Sequence, residues 1–195
     1  MSHFILVHGF NDRSAGANNI DRVTPLLQAA GHTVDRDASD YGYFSLLMVR
    51  LRKHDAVVRI VEAIRNALHC DQDVVIVGYS NGCNYGLKAA RLIFIGQIRL
   101  VLVHPALPAK ASFPESVRQA WVCYTESDMV VRLSSWVRWL VPGWGRMGAV
   151  GYKGKDARVI NINYSDAANG HGGLWKDPAL QVLAEDLDRL ARSKT

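Results

Sequence analysis

Apolar positions along the chain follow two different periods. Short, mostly apolar runs at residues 4–7, 73–77, 98–103, 120–124 and 158–162 have the length of strands, and Val74-Val75-Ile76-Val77 has the β-branched character of one buried on both faces. His32-Thr33-Val34 is a shorter strand candidate. Between these runs the apolar residues recur at helical spacing. Ile20, Val23, Leu27 and Ala30 predict a helix over 18–30, with Gly31 as its C-terminal cap and Pro25 marking a kink or a late start. A second helix-like piece falls at 45–52, and Val57, Val61, Ile64 and Leu68 share one face of a helix over 55–69. Small residues dominate 82–92, as suits a helix lying close against a sheet. Asp177-Pro178 opens a final helix as capping residue and first-turn proline, and Leu180, Leu183, Leu187 and Leu190 form its buried stripe. Strands alternating with helices predict a parallel sheet covered on both faces, with any site at the carboxyl ends of its strands.

One strand end carries a motif. Gly78-Tyr79-Ser80-Asn81-Gly82 follows the run Asp73-Val74-Val75-Ile76-Val77 and precedes the small-residue helix. That is the sequence form of a nucleophile elbow, a sharp strand-to-helix turn that lifts a serine hydroxyl toward a bound substrate. The flanking glycines suit a turn that brings strand and helix too close for side chains at those positions.

Composition narrows the field. At 195 residues the chain suits a single domain, 1–195, with a proper core. The net charge of +5 is concentrated: Arg132, Arg138, Arg146, Lys153, Lys155 and Arg158 face only Asp156 within 132–158. The segment is read as a solvated basic face, with contact to an anionic group of a substrate as the sharper alternative. Nothing matches a nucleic-acid-binding motif, so no nucleic-acid partner is expected. No run reaches membrane-spanning length and no leader pattern opens the chain. Cys70, Cys83 and Cys123, odd in number and without framework spacing, fit reduced thiols, so a cytoplasmic protein is expected. No phosphate loop, dinucleotide fingerprint or His/Cys cluster stands out, and neither cofactor nor metal is expected.

A serine hydroxyl needs a base within hydrogen-bond reach and a third group to hold that base. His171, in the glycine-flanked loop Asn169-Gly170-His171-Gly172-Gly173, is the candidate base. Asp128, at the carboxyl end of the strand leading into Thr125-Glu126-Ser127, is the candidate orienting acid, with Glu126 its rival. Attack on an ester carbonyl creates an oxyanion that fixed backbone amides stabilise. Asn81, after the nucleophile, and Phe10, in the loop after the first strand, are the candidate donors. His8, Tyr79, His104, Trp136 and Trp139 are candidate substrate-lining residues. His8 also suits a bracing role in its loop, and His104 is a rival for the base.

The His8-Gly9-Phe10 loop after a strand, the elbow around Ser80, Asp128 after a later strand and His171 before the last helix together resemble the α/β-hydrolase fold. The resemblance runs from Phe4 to the final helix. It implies a minimal fold of this type, a small, mostly parallel sheet with helices on both faces and no large cap domain. It also implies a serine hydrolase cleaving a carboxylic ester, thioester or lactone through Ser80, His171 and Asp128, with a small-molecule ester as partner. Three departures stand out. The chain starts at what would be the family's third strand. Only about fifteen residues separate the strands near Val103 and Ala120, too few for a cap. The stretch from Asp128 to His171 is long, and 132–155, with Trp136, Trp139, Trp144 and Tyr152, is a lid candidate unless its tryptophans fill core. A non-catalytic binding protein on this scaffold, or a peptidase or acyltransferase with the same triad, stays open, as does the oligomeric state.

Overall fold

The structure, a computed structural model, describes residues 1–9, 14, 16–36, 53–70, 72–94, 98–136 and 141–193. The helix expected at 45–52, and the residues Phe10, Arg138 and Trp139, lie outside the described residues. Six strands form one sheet: β1 (Ser2–Val7), β2 (Thr33–Asp35), β3 (Asp73–Tyr79), β4 (Ile98–Val103), β5 (Val117–Tyr124) and β6 (Val159–Asn163). Their spatial order is β2-β1-β3-β4-β5-β6, and every neighbouring pair is parallel. The described helices are α1 (Thr24–Ala29), α2 (Lys53–His69), α3 (Gly82–Ala90), α4 (Met129–Ser134), α5 (Met147–Val150) and α6 (Ala179–Arg192).

Alternation along the strands divides the interior into two cores. Ile5, Val7, Val74, Ile76, Leu100, Leu102, Ala120 and Val122 point to one face, where α2 and α3 cover them. Phe4, Leu6, Val75, Val77, Val101, Val103 and Cys123 point to the other, against Leu27 of α1 and the α6 stripe Leu180, Leu183, Leu187 and Leu190. A run that alternates between two buried faces is apolar over most of its length, which is why these strands read as apolar runs. The edge strand β6 is only partly buried.

Several boundaries differ from the sequence expectation. The helix expected over 18–30 divides into a 3-10 turn at Ile20–Val23 and α1, with Pro25 in the first turn of α1, where its missing N–H costs nothing. Gly31 follows with φ +87°, as a C-terminal cap requires. Strand β5 starts at Val117 rather than Ala120: Arg118 and Gln119 interrupt the apolar run, and the register with β4 shifts past Arg118 before the pairing resumes at Gln119. Asp177 does not cap α6. It pairs with Arg22 at 3.5 Å, and Pro178 holds the cap position without a side-chain bond. Among the described residues, no helix is long and apolar enough to cross a membrane.

The lid candidate is largely interior from Val141 onward. Val141, Trp144, Met147 and Tyr152 join the core on the α2 and α3 side. Backbone bonds from Met147 to Leu107 O (2.9 Å), Gly148 to Pro105 O (2.8 Å) and Lys153 to Ala109 O (2.7 Å) stitch this stretch to the loop after β4.

Candidate active site

The elbow forms at the carboxyl end of β3, near the centre of the sheet. Ser80 has φ +53°, in the left-handed region that non-glycine residues seldom occupy, and is partly exposed between buried Tyr79 and Asn81. The strain is held by backbone bonds to the adjacent strand end: Ser80 N–H donates to Val103 O (2.9 Å), and Ala106 N–H donates to Ser80 O (3.3 Å). The glycines are sterically required here. A Cβ on Gly78 would stand 2.8 Å from Cys83 N and Cα, and one on Gly82 2.5 Å from His8 O. Gly9 lies beside Ser80, where its Cβ would stand 3.1 Å from Ser80 Cβ. The loop after β1 and the elbow therefore meet, as a shared oxyanion site requires.

Asp128 caps α4: its Oδ1 accepts from Val131 N–H at 3.0 Å. Its Oδ2 meets two imidazoles, His171 Nδ1 at 2.8 Å and His104 Nδ1 at 2.7 Å. The carboxylate has no exposed surface, whereas the His171 side chain is 16% exposed. Burial alone raises a carboxyl pKa, but the hydrogen bonds from His104, His171 and Val131 outweigh it and hold Asp128 well below the usual range. An ionised carboxylate only accepts, so both Nδ1 atoms carry protons, and in a neutral imidazole Nε2 is then the acceptor.

His171 is held from three sides. Gly170, at φ +69°, donates its N–H to Ser127 Oγ at 2.9 Å, which ties the loop to the segment bearing Asp128. The Tyr79 ring stacks on the imidazole at 5.0 Å and 30°, and its hydroxyl donates to His171 O at 3.2 Å. Because Tyr79 immediately precedes Ser80, this stack ties the candidate base to the residue before the candidate nucleophile. Among the described residues no hydrogen bond joins Ser80 Oγ to His171, a contact that often closes only with substrate bound.

The other sequence-derived candidates take different places. Glu126 is exposed and accepts from Asn163 Nδ2 at 3.4 Å, away from either imidazole's Nδ1. His104, expected as a pocket wall, has no exposed surface and lies behind Asp128. His8 is buried as well, with Nδ1 2.9 Å from Gly9 O, the position of a loop brace. Trp136 is 79% exposed. Trp144, within the lid candidate, donates Nε1–H to Asn81 Oδ1 at 2.7 Å. It fixes the residue next to the nucleophile. Arg146 lies in a cleft with Pro108, Ser135 and Trp144, whereas Arg158 is committed to Asp156 (2.6 Å) and to carbonyls of Phe113, Pro114 and Val117.

His104, Asp128 and His171 also offer donor atoms within 4.8 Å of one another, close enough for a metal ion. Their Nδ1–Oδ2 spacings of 2.7 and 2.8 Å are hydrogen-bond distances. Two ligands about 2.0–2.1 Å from a tetrahedral ion stand roughly 3.3 Å apart, so the closed arrangement is a proton-sharing one.

Neither a protein-family model nor a curated protein matches the chain. Solved structures do. A hydrolase-superfamily protein of the alpha/beta class from Xanthomonas campestris pv. campestris is 19% identical over 100% of both chains, with a TM-score of 0.58. Dienelactone hydrolase from Anabaena variabilis is 19% identical over 97% of this chain and 84% of its own, with a TM-score of 0.57. Est1E from Butyrivibrio proteoclasticus with bound ferulic acid is 14% identical over 97% and 88%, with a TM-score of 0.57. The chain has the α/β-hydrolase fold.

Proposed function

We propose that the protein is a serine hydrolase acting on a small ester, thioester or lactone. The observation that carries this reading is the 2.8 Å bond from His171 Nδ1–H to the buried Asp128 carboxylate, beside a serine at φ +53° on a glycine-flanked elbow. Asp128 fixes the tautomer, so Nε2 is the basic nitrogen. His171 Nε2 takes the Ser80 proton as Oγ attacks the acyl carbon, and Asp128 stabilises the imidazolium that results. The Asn81 N–H, at the start of α3, has no carbonyl one helical turn earlier to bond, and so serves the oxyanion. Collapse of the tetrahedral intermediate passes the same proton from His171 to the leaving oxygen or sulfur. A water molecule then attacks the acyl-enzyme, giving a proton to His171 that returns to Ser80 Oγ as the acid departs. Hydrolase and esterase neighbours of this fold support the class of reaction. Arg146 beside Trp144 suits a substrate with an anionic group.

Turnover of short-chain aryl esters and thioesters tests the reading. Ser80→Ala and His171→Ala are each expected to lower kcat by about 10³-fold or more while leaving the thermal transition unchanged. Near-normal turnover in Ser80→Ala would sink it.

A further inference from the structure

Strand β4 ends in a residue that the proton transfers above do not use. His104 follows Val103 with φ +48°, so the two left-handed non-glycine residues of the described chain, Ser80 and His104, sit at the ends of neighbouring strands. The backbone of His104 is fixed on several sides. Its N–H donates to Cys123 O at 2.9 Å, and a Cβ on Gly148 would come to 2.5 Å of its carbonyl carbon. The same short segment braces the nucleophile, through Val103 O and the Ala106 N–H. The imidazole is fully buried, with Nδ1 2.7 Å from Asp128 Oδ2 and with Nε2 lacking a hydrogen-bond partner among the described residues. A buried nitrogen without a partner is unfavourable, and a strained backbone adds to that. An apolar side chain at the same φ would fill this space without burying an unmet nitrogen, so packing does not explain a histidine here.

We propose that His104 is a positioning residue, a neutral Nδ1–H donor that fixes Asp128 Oδ2 and shares its charge between two imidazoles. The inference rests on the triad assigned above and adds what sets the strength of its base. The groups facing Asp128 are His104 from the end of β4, His171 from the loop before α6 and the Val131 N–H from α4; Tyr79 of β3 stacks on His171. Burial holds His104 below the ordinary imidazole pKa, although its bond to Asp128 opposes the shift. It therefore stays a neutral donor when His171 takes up a proton. A carboxylate already holding one N–H stabilises a developing imidazolium less than an undivided one, so removing the His104 donor would strengthen the pull of Asp128 on a proton taken up at His171. The imidazoles meet edge to face at 5.6 Å, close enough for each to register the other's charge.

The test is the pH dependence of the second-order rate of labelling by a fluorophosphonate probe, in wild type, His104→Leu and His104→Asn. Leucine removes the donor and is expected to move the acid limb upward by about half a pH unit or more. Asparagine keeps an amide N–H near the Nδ1 position and tolerates positive φ, so its limb is expected within about 0.2 unit of wild type. A leucine limb that coincides with wild type, or an asparagine limb that follows leucine, overturns the proposal. Labelling that survives Ser80→Ala would instead overturn the triad. Should His104→Leu fail to fold, ¹⁵N imidazole NMR of the wild type decides: His104 is expected to keep a protonated Nδ1 and bare Nε2 from about pH 5 to 8. A titrating His104, or the opposite tautomer, would refute it.

Discussion

The site depends on a few atoms that tolerate no substitute. Gly82 faces the carbonyls of Val7 and His8, and a methyl group there must displace β1 or the elbow. Gly82→Ala is expected to lose about 2–4 kcal/mol in urea unfolding, more than Gly31→Ala, where nothing lies within 4 Å and only the φ of +87° is strained. Asp128 serves as helix cap and as acceptor for two imidazoles, so Asp128→Asn is expected to cut kcat by about 10²–10⁴-fold through the wrong tautomer of His171. It also carries a pH signature. The folded carboxyl is depressed, so its contribution to stability is complete above the unfolded pKa of about 4 and is lost as pH falls through the folded value. The stability gap between wild type and Asp128→Asn should therefore be full at neutral pH and narrow in acid. Ser80, Asp128 and His171 were nameable as candidates because each stands at a strand end or in a loop with its own local pattern. The role of His104 was not legible, since its partner lies 24 residues on and only folding brings the two together. Trp144 was hidden for the same reason, 63 residues from Asn81.

Elements were legible where one physical signal dominated. β1, β3 and β4 are apolar over most of their length because both faces are buried, and α2 and α6 show a single stripe. Boundaries slipped where a polar residue is structural. Arg118 lies within β5 yet bonds to Asp73 at 2.5 Å. Arg99 of β4 is only 3% exposed, pairs with Asp73 at 2.9 Å and donates to Leu190, Ala191 and Ser193 carbonyls at the end of α6. It anchors the last helix to the sheet through carbonyls that carry the negative end of the helix dipole. Arg99→Ala leaves these acceptors and part of the Asp73 charge unmet, and is expected to cost about 2–4 kcal/mol, read as a lower urea midpoint. Arg99→Lys should recover only part, because one ammonium cannot reach all of these oxygens in the guanidinium's geometry.

At the scale of the molecule, one sheet serves as the shared wall of two cores and brings its strand ends together on one rim. The elbow, the Asp128 cap, the His104 brace and the His171 loop all stand on that rim, on four successive connections after β3, β4, β5 and β6. Because neither core can persist without the sheet, unfolding followed by tryptophan fluorescence and by far-ultraviolet circular dichroism should give one coincident transition. The parallel α/β architecture was readable from the alternation of runs and stripes. Packing of 141–152 into the core was not, since its glycines and aromatics suit a lid equally well until the loop after β4 is seen against them. The central claim is an activated serine on this rim, and intact-mass analysis after treatment with a fluorophosphonate tests it most directly. One phosphonyl adduct on the wild type, mapped to Ser80, absent from Ser80→Ala and slowed in His171→Ala, is the predicted result. A folded wild type that takes up no adduct, or one that carries it on another residue, would contradict the account.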